Sequence, residues 1–454
     1  MRAKGPQALV ALALAVSVVA AGAGQTVADR ADARVRHAQA LARQAAQRRA
    51  AAREFLVDRT AGVQASLRER ARGVLDRDPV EFLASVDPAD PAFLARQRVL
   101  FASLRQLRFA SWSYALAAVP PYPPLPAERA RYHRDVYDPL LTLRYALAGF
   151  DVRPVARSAI YTFVRRGKRW LIASDSDWIG KVGFDLVADP WDVGPIAVAH
   201  GTSSLVIGSP SDAAALPQLA AVADAAVARV VQVWPTGWSR RVVVVVSRDP
   251  QLLAALLAGS LRTERSIAAV AVPQYDVPQS LAEQTGQVPQ RVGARIVINP
   301  AGFLVSDPFT FPLLVHETTH VATEAVTGAW APRWLVEGFA EWVAFPTLDR
   351  GLSVEFVRSV QRNGPPQALP ADSSWNTDDI APQYDESWLA CRYIAEQFGV
   401  DRLLALYRRL GPVASQTAAF GDVDSALPEV LGVTPDVFVA GWRSYVSGVV
   451  AQFP

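Results

Sequence analysis

The chain has 454 residues, 51% of them hydrophobic, which is ample for one large core or two. The formal net charge is only +3, and the basic excess sits in residues 1–110, where eighteen Arg and Lys face ten Asp and Glu. No dense basic run with interleaved aromatics occurs, which argues against a nucleic-acid partner. The single cysteine, Cys391, excludes an intrachain disulfide and a Cys-based metal centre, and in its apolar helical stretch it reads as a small buried hydrophobe.

The N-terminus carries Arg2 and Lys4, an apolar run from Ala8 to Val19, and then small residues through Gln25. That order reads as a secretory signal peptide cleaved near Ala23. The alternative is an uncleaved anchor through residues 8–23, although the run is short against the roughly 20 residues of a bilayer span. Either reading places the body outside the cytoplasm, secreted or tethered to the outer face of a bacterial cytoplasmic membrane.

Residues 25–75, rich in Ala, Arg and Gln, predict one or two long helices. Prolines 79, 88 and 91 interrupt the pattern, and Phe93 to Leu107 resumes it. The period then shortens. Phe109–Val119, Leu140–Leu147, Val155–Val164 and Arg169–Ala173 read as strands, with a hairpin turn at Arg165–Lys168 where Gly167 supplies positive φ. Helices followed by a curved antiparallel sheet over residues 76–190 make an α+β pattern. This element order resembles the cone-shaped fold of the nuclear-transport-factor-2-like superfamily, which implies a pocket for a ligand or partner in the N-terminal domain.

Asp175 to Pro195 reads as a linker, and a second domain spans 196–454. Ile196–Gly208 predicts a strand or hairpin. Ser211–Val233 predicts a helix capped by Ser211, and the five valines within Arg241–Ser247 predict a strand buried on both faces. Pro250–Gly259 predicts a helix, and Ile267–Val272 and Ala294–Asn299 predict strands of a small mixed sheet. Asp401–Leu410 and Pro435–Val449 predict a helical C-terminal lobe.

The segment with chemistry is His316-Glu317-Thr318-Thr319-His320, followed by Trp334-Leu335-Val336-Glu337-Gly338-Phe339-Ala340-Glu341-Trp342. Thr310 as N-cap and Pro312 in the first turn open a helix that ends before Gly328. Residues four apart share a helix face, so His316 and His320 can present imidazoles to one Zn²⁺ ion. Glu317, beside them, is placed to take a proton from the attacking water. A catalytic zinc site needs a third protein ligand. Glu337 is assigned, on a second helix that Pro332 opens after the break at Gly328. Glu324, on the same helix as the histidines, is the poorer competitor. Glu341, one turn after Glu337, is assigned as the carboxylate that fixes a ligand imidazole from behind. Gly338 and Ala340 are small where helices must approach, and Trp334, Phe339 and Trp342 read as core.

His-Glu-x-x-His followed by Trp-Leu-x-Glu-Gly-Phe-Ala resembles the gluzincin metallopeptidases, the group that includes thermolysin and the M1 aminopeptidases. The resemblance implies a zinc-dependent hydrolase of peptide or protein substrates, with His316, His320 and Glu337 as ligands and Glu317 as base. It also implies a sheet edge along the cleft, able to pair with an extended substrate, and a downstream oxyanion donor. Tyr384 is the candidate donor, expected just before a helix, and Tyr393 is the substitute. The His320–Glu337 spacing is shorter than in the M1 aminopeptidases. Their Gly-x-Met-Glu-Asn segment is missing, since the only methionine is Met1. Those departures favour an endopeptidase. The competing reading is an envelope ligand-binding or scaffolding protein with a vestigial or structural zinc site.

Overall fold

A computed structural model describes the chain apart from residues 1–6, 134, 183–185, 187–188, 249–251, 254–255, 257–267, 300–306, 349–350, 376–379, 413–422 and 454. For residues 7–31 and 33 it describes the backbone alone. The fold is mixed α/β, with small antiparallel and mixed sheets, none of them closed. Contacts divide the chain into two compact units, residues 1–65 with 168–170, and residues 66–167 with 171–454. In the first unit the Trp170 indole meets the Phe55 ring edge-on at 6.2 Å, and Gly62 lies so close to it that a Cβ there would come within 2.6 Å of the ring.

One helix, α1 (Gln7–Leu75), runs through the Ala-rich segment, which contains no proline to break it. Its residues 34–54 are exposed throughout, and a buried stripe of Val63, Leu67, Ala71 and Val74 begins only near its end. The prolines that follow start helices instead of merely ending one. Pro79 and Pro91 occupy the first turns of α2 (Pro79–Ala84) and α3 (Pro91–Leu104). Asp78 and Asp90 cap these helices by accepting from two backbone N–H groups each.

Strand β1 (Phe109–Leu116) is followed by α4 (Pro126–Tyr132), which periodicity did not reveal. Then come β2 (Val136–Tyr137), β3 (Leu140–Leu147), β4 (Val155–Ile160), β5 (Thr162–Arg166) and β6 (Arg169–Ser174). The single strand expected over Val155–Val164 is two strands. The chain leaves one sheet (order β1-β3-β4) and enters another (order β2-β5-β6) at Tyr161. Gly167 has φ +63°, as the turn requires. The segment read as a linker contains α5 (Pro190–Val193), and its Trp191 packs edge-on against Tyr145 at 5.4 Å and Phe109 at 5.9 Å.

Next come β7 (Ala197–His200), β8 (Ser204–Gly208), α6 (Leu216–Val233), β9 (Val242–Val246), β10 (Ala269–Tyr275), α7 (Gln279–Thr285) and β11 (Arg291–Ile298). Ser211 does not cap α6; it lies in a separate 3₁₀ turn, Pro210–Asp212. Pro217 sets this limit, because a proline is tolerated in a first turn and not in a helix interior. By length and mean hydropathy (1.3), α6 could cross a membrane. Its Leu219, Ala223, Ala226 and Val230 are nevertheless buried in the core. The helix expected over Pro250–Gly259 lies largely outside the described residues.

The five strands form one mixed sheet in the order β10-β11-β9-β8-β7. All five valines of β9 are buried, as expected for a strand with parallel neighbours on both sides. The strand nearest in sequence to the histidine helix, β11, is internal. The sheet edge is β10, because it adds antiparallel to β11 with Ala269 opposite Ile298.

The remaining helices are α8 (Thr310–Thr323), α9 (Arg333–Ala344), α10 (Val354–Asn363), α11 (Ala381–Gln397), α12 (Val400–Leu410) and α13 (Pro435–Val450). They share one core with α6, β9 and β11, centred on Phe339, Trp388, Tyr407 and Trp442. A second core, with Phe101, Trp112, Tyr145 and Ile207, joins the β1-β3-β4 sheet to β8 and β9. Cys391 is buried within the first core, and burial pushes its thiol far above the ordinary range. It is an inert hydrophobe, as expected.

Candidate metal centre

Helix α8 starts at Thr310, which is itself helical and buried and so is not the cap. Asp307 holds the start instead, its carboxylate accepting from Phe309 N–H at 2.9 Å and its carbonyl from Thr310 N–H at 3.0 Å. Thr319 and Thr323 return their hydroxyls to carbonyls one turn earlier. Their side chains therefore do not compete for the cleft.

Helix α9 is fixed at both ends by other segments. Its first N–H, on Arg333, donates to Asp372 Oδ1 at 3.0 Å. Beyond its C-terminus, Phe345 O accepts from Trp388 Nε1 at 2.9 Å and Pro346 O from Arg392 Nη1 at 2.8 Å, both donors lying on α11. Gly338 is needed for this contact, since a Cβ there would lie 2.3 Å from Ser387 O and 3.0 Å from Cys391 Sγ. The close approach that its small size permits is thus to α11, not to the histidine helix.

These supports bring three ligand atoms together. His316 Nε2 and His320 Nε2 are 3.0 Å apart, and Glu337 Oε2 lies 3.4 and 3.5 Å from them. The group could hold a metal ion. On the far side of the ring, His316 Nδ1 lies 3.2 Å from Glu341 Oε1. That contact places the imidazole proton on Nδ1 and leaves Nε2 as the lone-pair donor. Glu324 lies away from the group, in a 3₁₀ turn (Glu324–Val326) with its nearest charges on Arg291 and Arg295.

The electrostatics follow from burial and charge. Burial alone would raise the Glu337 carboxyl, but the imidazoles of His320 and His316 outweigh it and hold it well below the usual carboxylate range. Burial would lower His316, but hydrogen bonds to Glu337 and then Glu341 overcome that and raise it. Glu317 keeps a raised pKa because burial exceeds the pull of the two histidines. The backbone N–H of Ala271 on edge strand β10 offsets part of that rise. Nothing in the sequence marks Ala271; only the strand order brings it there.

Tyr384 lies inside the first turn of α11, not before a helix. Its ring stands edge-on to His316 at 6.1 Å, and Trp375 packs edge-on against it at 5.0 Å. Burial, with Glu337 and Glu317 nearby, raises its pKa well above the ordinary phenol value, so it remains a hydrogen-bond donor. Tyr393 is elsewhere, packed against Phe398, Phe438 and Tyr445. Trp334, Phe339 and Trp342 are core, as expected. Compared with models of known protein families and with curated proteins, the chain matches none.

Proposed function

We propose that the chain is an exported zinc-dependent peptidase, acting as an endopeptidase on peptide or protein substrates. The carrying observation is the convergence of His316, His320 and Glu337 with Glu317 on the same helix. Ligands about 2.0–2.1 Å from a tetrahedral ion are roughly 3.3 Å apart. The observed separations of 3.0, 3.4 and 3.5 Å bracket that value. Two imidazoles and one carboxylate suit zinc, whereas Ca²⁺ and Mg²⁺ favour all-oxygen sets. Three protein ligands leave room for substrate, as in a catalytic and not a structural zinc site.

When bound, the ion supplies Lewis acidity for carbonyl polarisation and water activation. Glu317 takes the proton of the attacking water and returns it to the leaving amine, a role suited to a carboxylate whose pKa is raised by burial. Tyr384 donates to the oxygen on which negative charge develops. The free edge of β10 is where an extended substrate backbone would pair. The signal segment delivers the enzyme outside the cytoplasm, and the N-terminal region is a nuclear-transport-factor-2-like domain preceding the peptidase domain of residues 196–454.

The test is the metal content of the purified chain and its cleavage of a sequence-diverse peptide library. Glu317→Gln should retain one zinc per chain and lose about 10²–10⁴-fold in hydrolysis. A chain that binds no zinc, or a variant that cleaves as well as the wild type, overturns the reading.

A further inference from the structure

A cavity of about 230 Å³ lies at the end of the five-stranded sheet where β9 and β11 begin. The β3–β4 loop, the turn before β9, the start of β11 and the C-terminal end of α8 form its walls, and no metal-centre residue lines it. The volume is below the roughly 300–1,000 Å³ of drug-sized pockets, so it suits a small group. Its lining is basic: Arg153, Arg241, Arg291 and Arg295 face only Asp151 and Glu324.

Two of the four guanidiniums are already neutralised. Arg295 Nη1 is 2.7 Å from Asp151 Oδ1, and Arg153 Nη2 is 2.7 Å from Asp276 Oδ2. Arg241 and Arg291 are exposed, and among the described residues neither has a carboxylate within ion-pair distance. Each is steadied by one backbone carbonyl instead. Arg241 Nη1 donates to Thr202 O at 3.5 Å, and its guanidinium lies 5.6 Å from the centre of the Phe150 ring. Arg291 Nη1 donates to Thr327 O at 3.1 Å. One carbonyl each leaves most of the roughly five N–H donors of a guanidinium open. Glu324, the remaining acid, feels Arg291 and Arg295, and burial pushes its carboxyl up to about 7. The cavity therefore keeps a net positive charge.

The backbone makes room between these arginines. The β10–β11 register slips by one residue between Gln274 opposite Gly293 and Tyr275 opposite Arg291. Such a bulge re-aims the side chains beside it. Gly293 has φ +148°, a conformation that favours glycine, and no atom lies within 4 Å of where its Cβ would stand. The floor of the cavity is thus open space beside unneutralised guanidiniums.

We propose that this cavity binds the dianion of a phosphate monoester, with Arg241 and Arg291 donating to its oxygens. Guanidinium forks match phosphate oxygens in shape as well as charge. The same group occurs on soluble esters and on lipid headgroups.

The experiment is calorimetric titration of the full chain with glycerol phosphate, and with acetate at matched ionic strength. Glycerol phosphate should bind saturably, one per chain, and acetate about tenfold or more weakly. Arg241→Gln and Arg291→Gln should each weaken binding about tenfold or more. Both side chains are exposed, so the variants should melt as the wild type does. Arg153→Gln, which loses a guanidinium already paired with Asp276, should change binding far less. Sedimentation with phosphatidylcholine vesicles, with and without phosphatidic acid, separates the sources. Vesicle binding that requires phosphatidic acid and both arginines assigns a lipid headgroup, whereas binding of glycerol phosphate alone assigns a soluble ester. The proposal is overturned if neither binds, if acetate binds as well, or if binding survives both substitutions, as it would for phosphate held at the metal centre. The readout is binding, so the outcome does not depend on peptidase activity.

Discussion

Removing the Glu341 carboxylate should weaken metal binding without removing a ligand. Its Oε1 lies 3.2 Å from His316 Nδ1, on the side of the ring away from Glu337. The contact does two things: it orients a ring that could otherwise rotate, and it holds the tautomer whose Nε2 lone pair faces the ion. Partners of this kind contribute about 10–100-fold in metal affinity. At about 1.4 kcal/mol per tenfold, that is roughly 1.4–2.8 kcal/mol. Glu341→Gln keeps an acceptor of the same length but loses the charge, so it should fall near the lower bound. Glu341→Ala loses both and should fall near the upper. The assay is competition for zinc against a chromogenic chelator at fixed pH, with circular dichroism to verify the fold. A dissociation constant within twofold of the wild type for both variants would show that Glu341 does not position His316.

Three further outcomes are expected. Gly338→Ala gains about 1 kcal/mol of helix propensity. It also forces a Cβ to within 2.3 Å of a backbone oxygen on α11, an overpacking cost of about 1–3 kcal/mol, and backbone cannot move aside as a side-chain tip could. The variant should melt lower and bind zinc more weakly, because Glu337 moves with its neighbour, and an unchanged melting temperature refutes the α9–α11 contact. Burial pushes the Glu324 carboxyl up to about 7, so the folded state binds its proton more tightly than the unfolded chain. That stability is present below the unfolded value near 4.3 and is lost as pH rises through about 7. Glu324→Gln should therefore raise the melting temperature relative to wild type at pH 8 and not at pH 4, and equal shifts at both would count against the burial. Tyr384→Phe should lower kcat by about 10²–10³ with zinc affinity retained; a fall in zinc content instead would assign the tyrosine a structural role.

Much of the site could be read locally. His316 and His320 share a helix face by spacing alone, Pro332 announces the second helix, and the choice of Glu337 over Glu324 follows from where a single helix can reach. Helix starts were harder to place. Thr310 and Ser211 have the side chains of caps, yet Asp307 holds one helix and Pro217 delays the other. Capping depends on a bond two or three residues away, not on residue type. The helices α4, α7 and α10 were missed because each is short, at seven, seven and ten residues, and offers few periods to detect.

By itself, then, the sequence determined which side chains could meet a metal, because two histidines one helical turn apart on one helix face need no tertiary information. It also determined that β9 is central, because five consecutive valines have no polar face to expose. Only the tertiary structure decided which strand is the sheet edge, that Ala271 comes near Glu317, and that Gly338 exists for α11. It alone brought Arg241 and Arg291 to one cavity from separate stretches of chain. These are long-range pairings, set by strand order and by helix packing across one shared core, and no local periodicity encodes them.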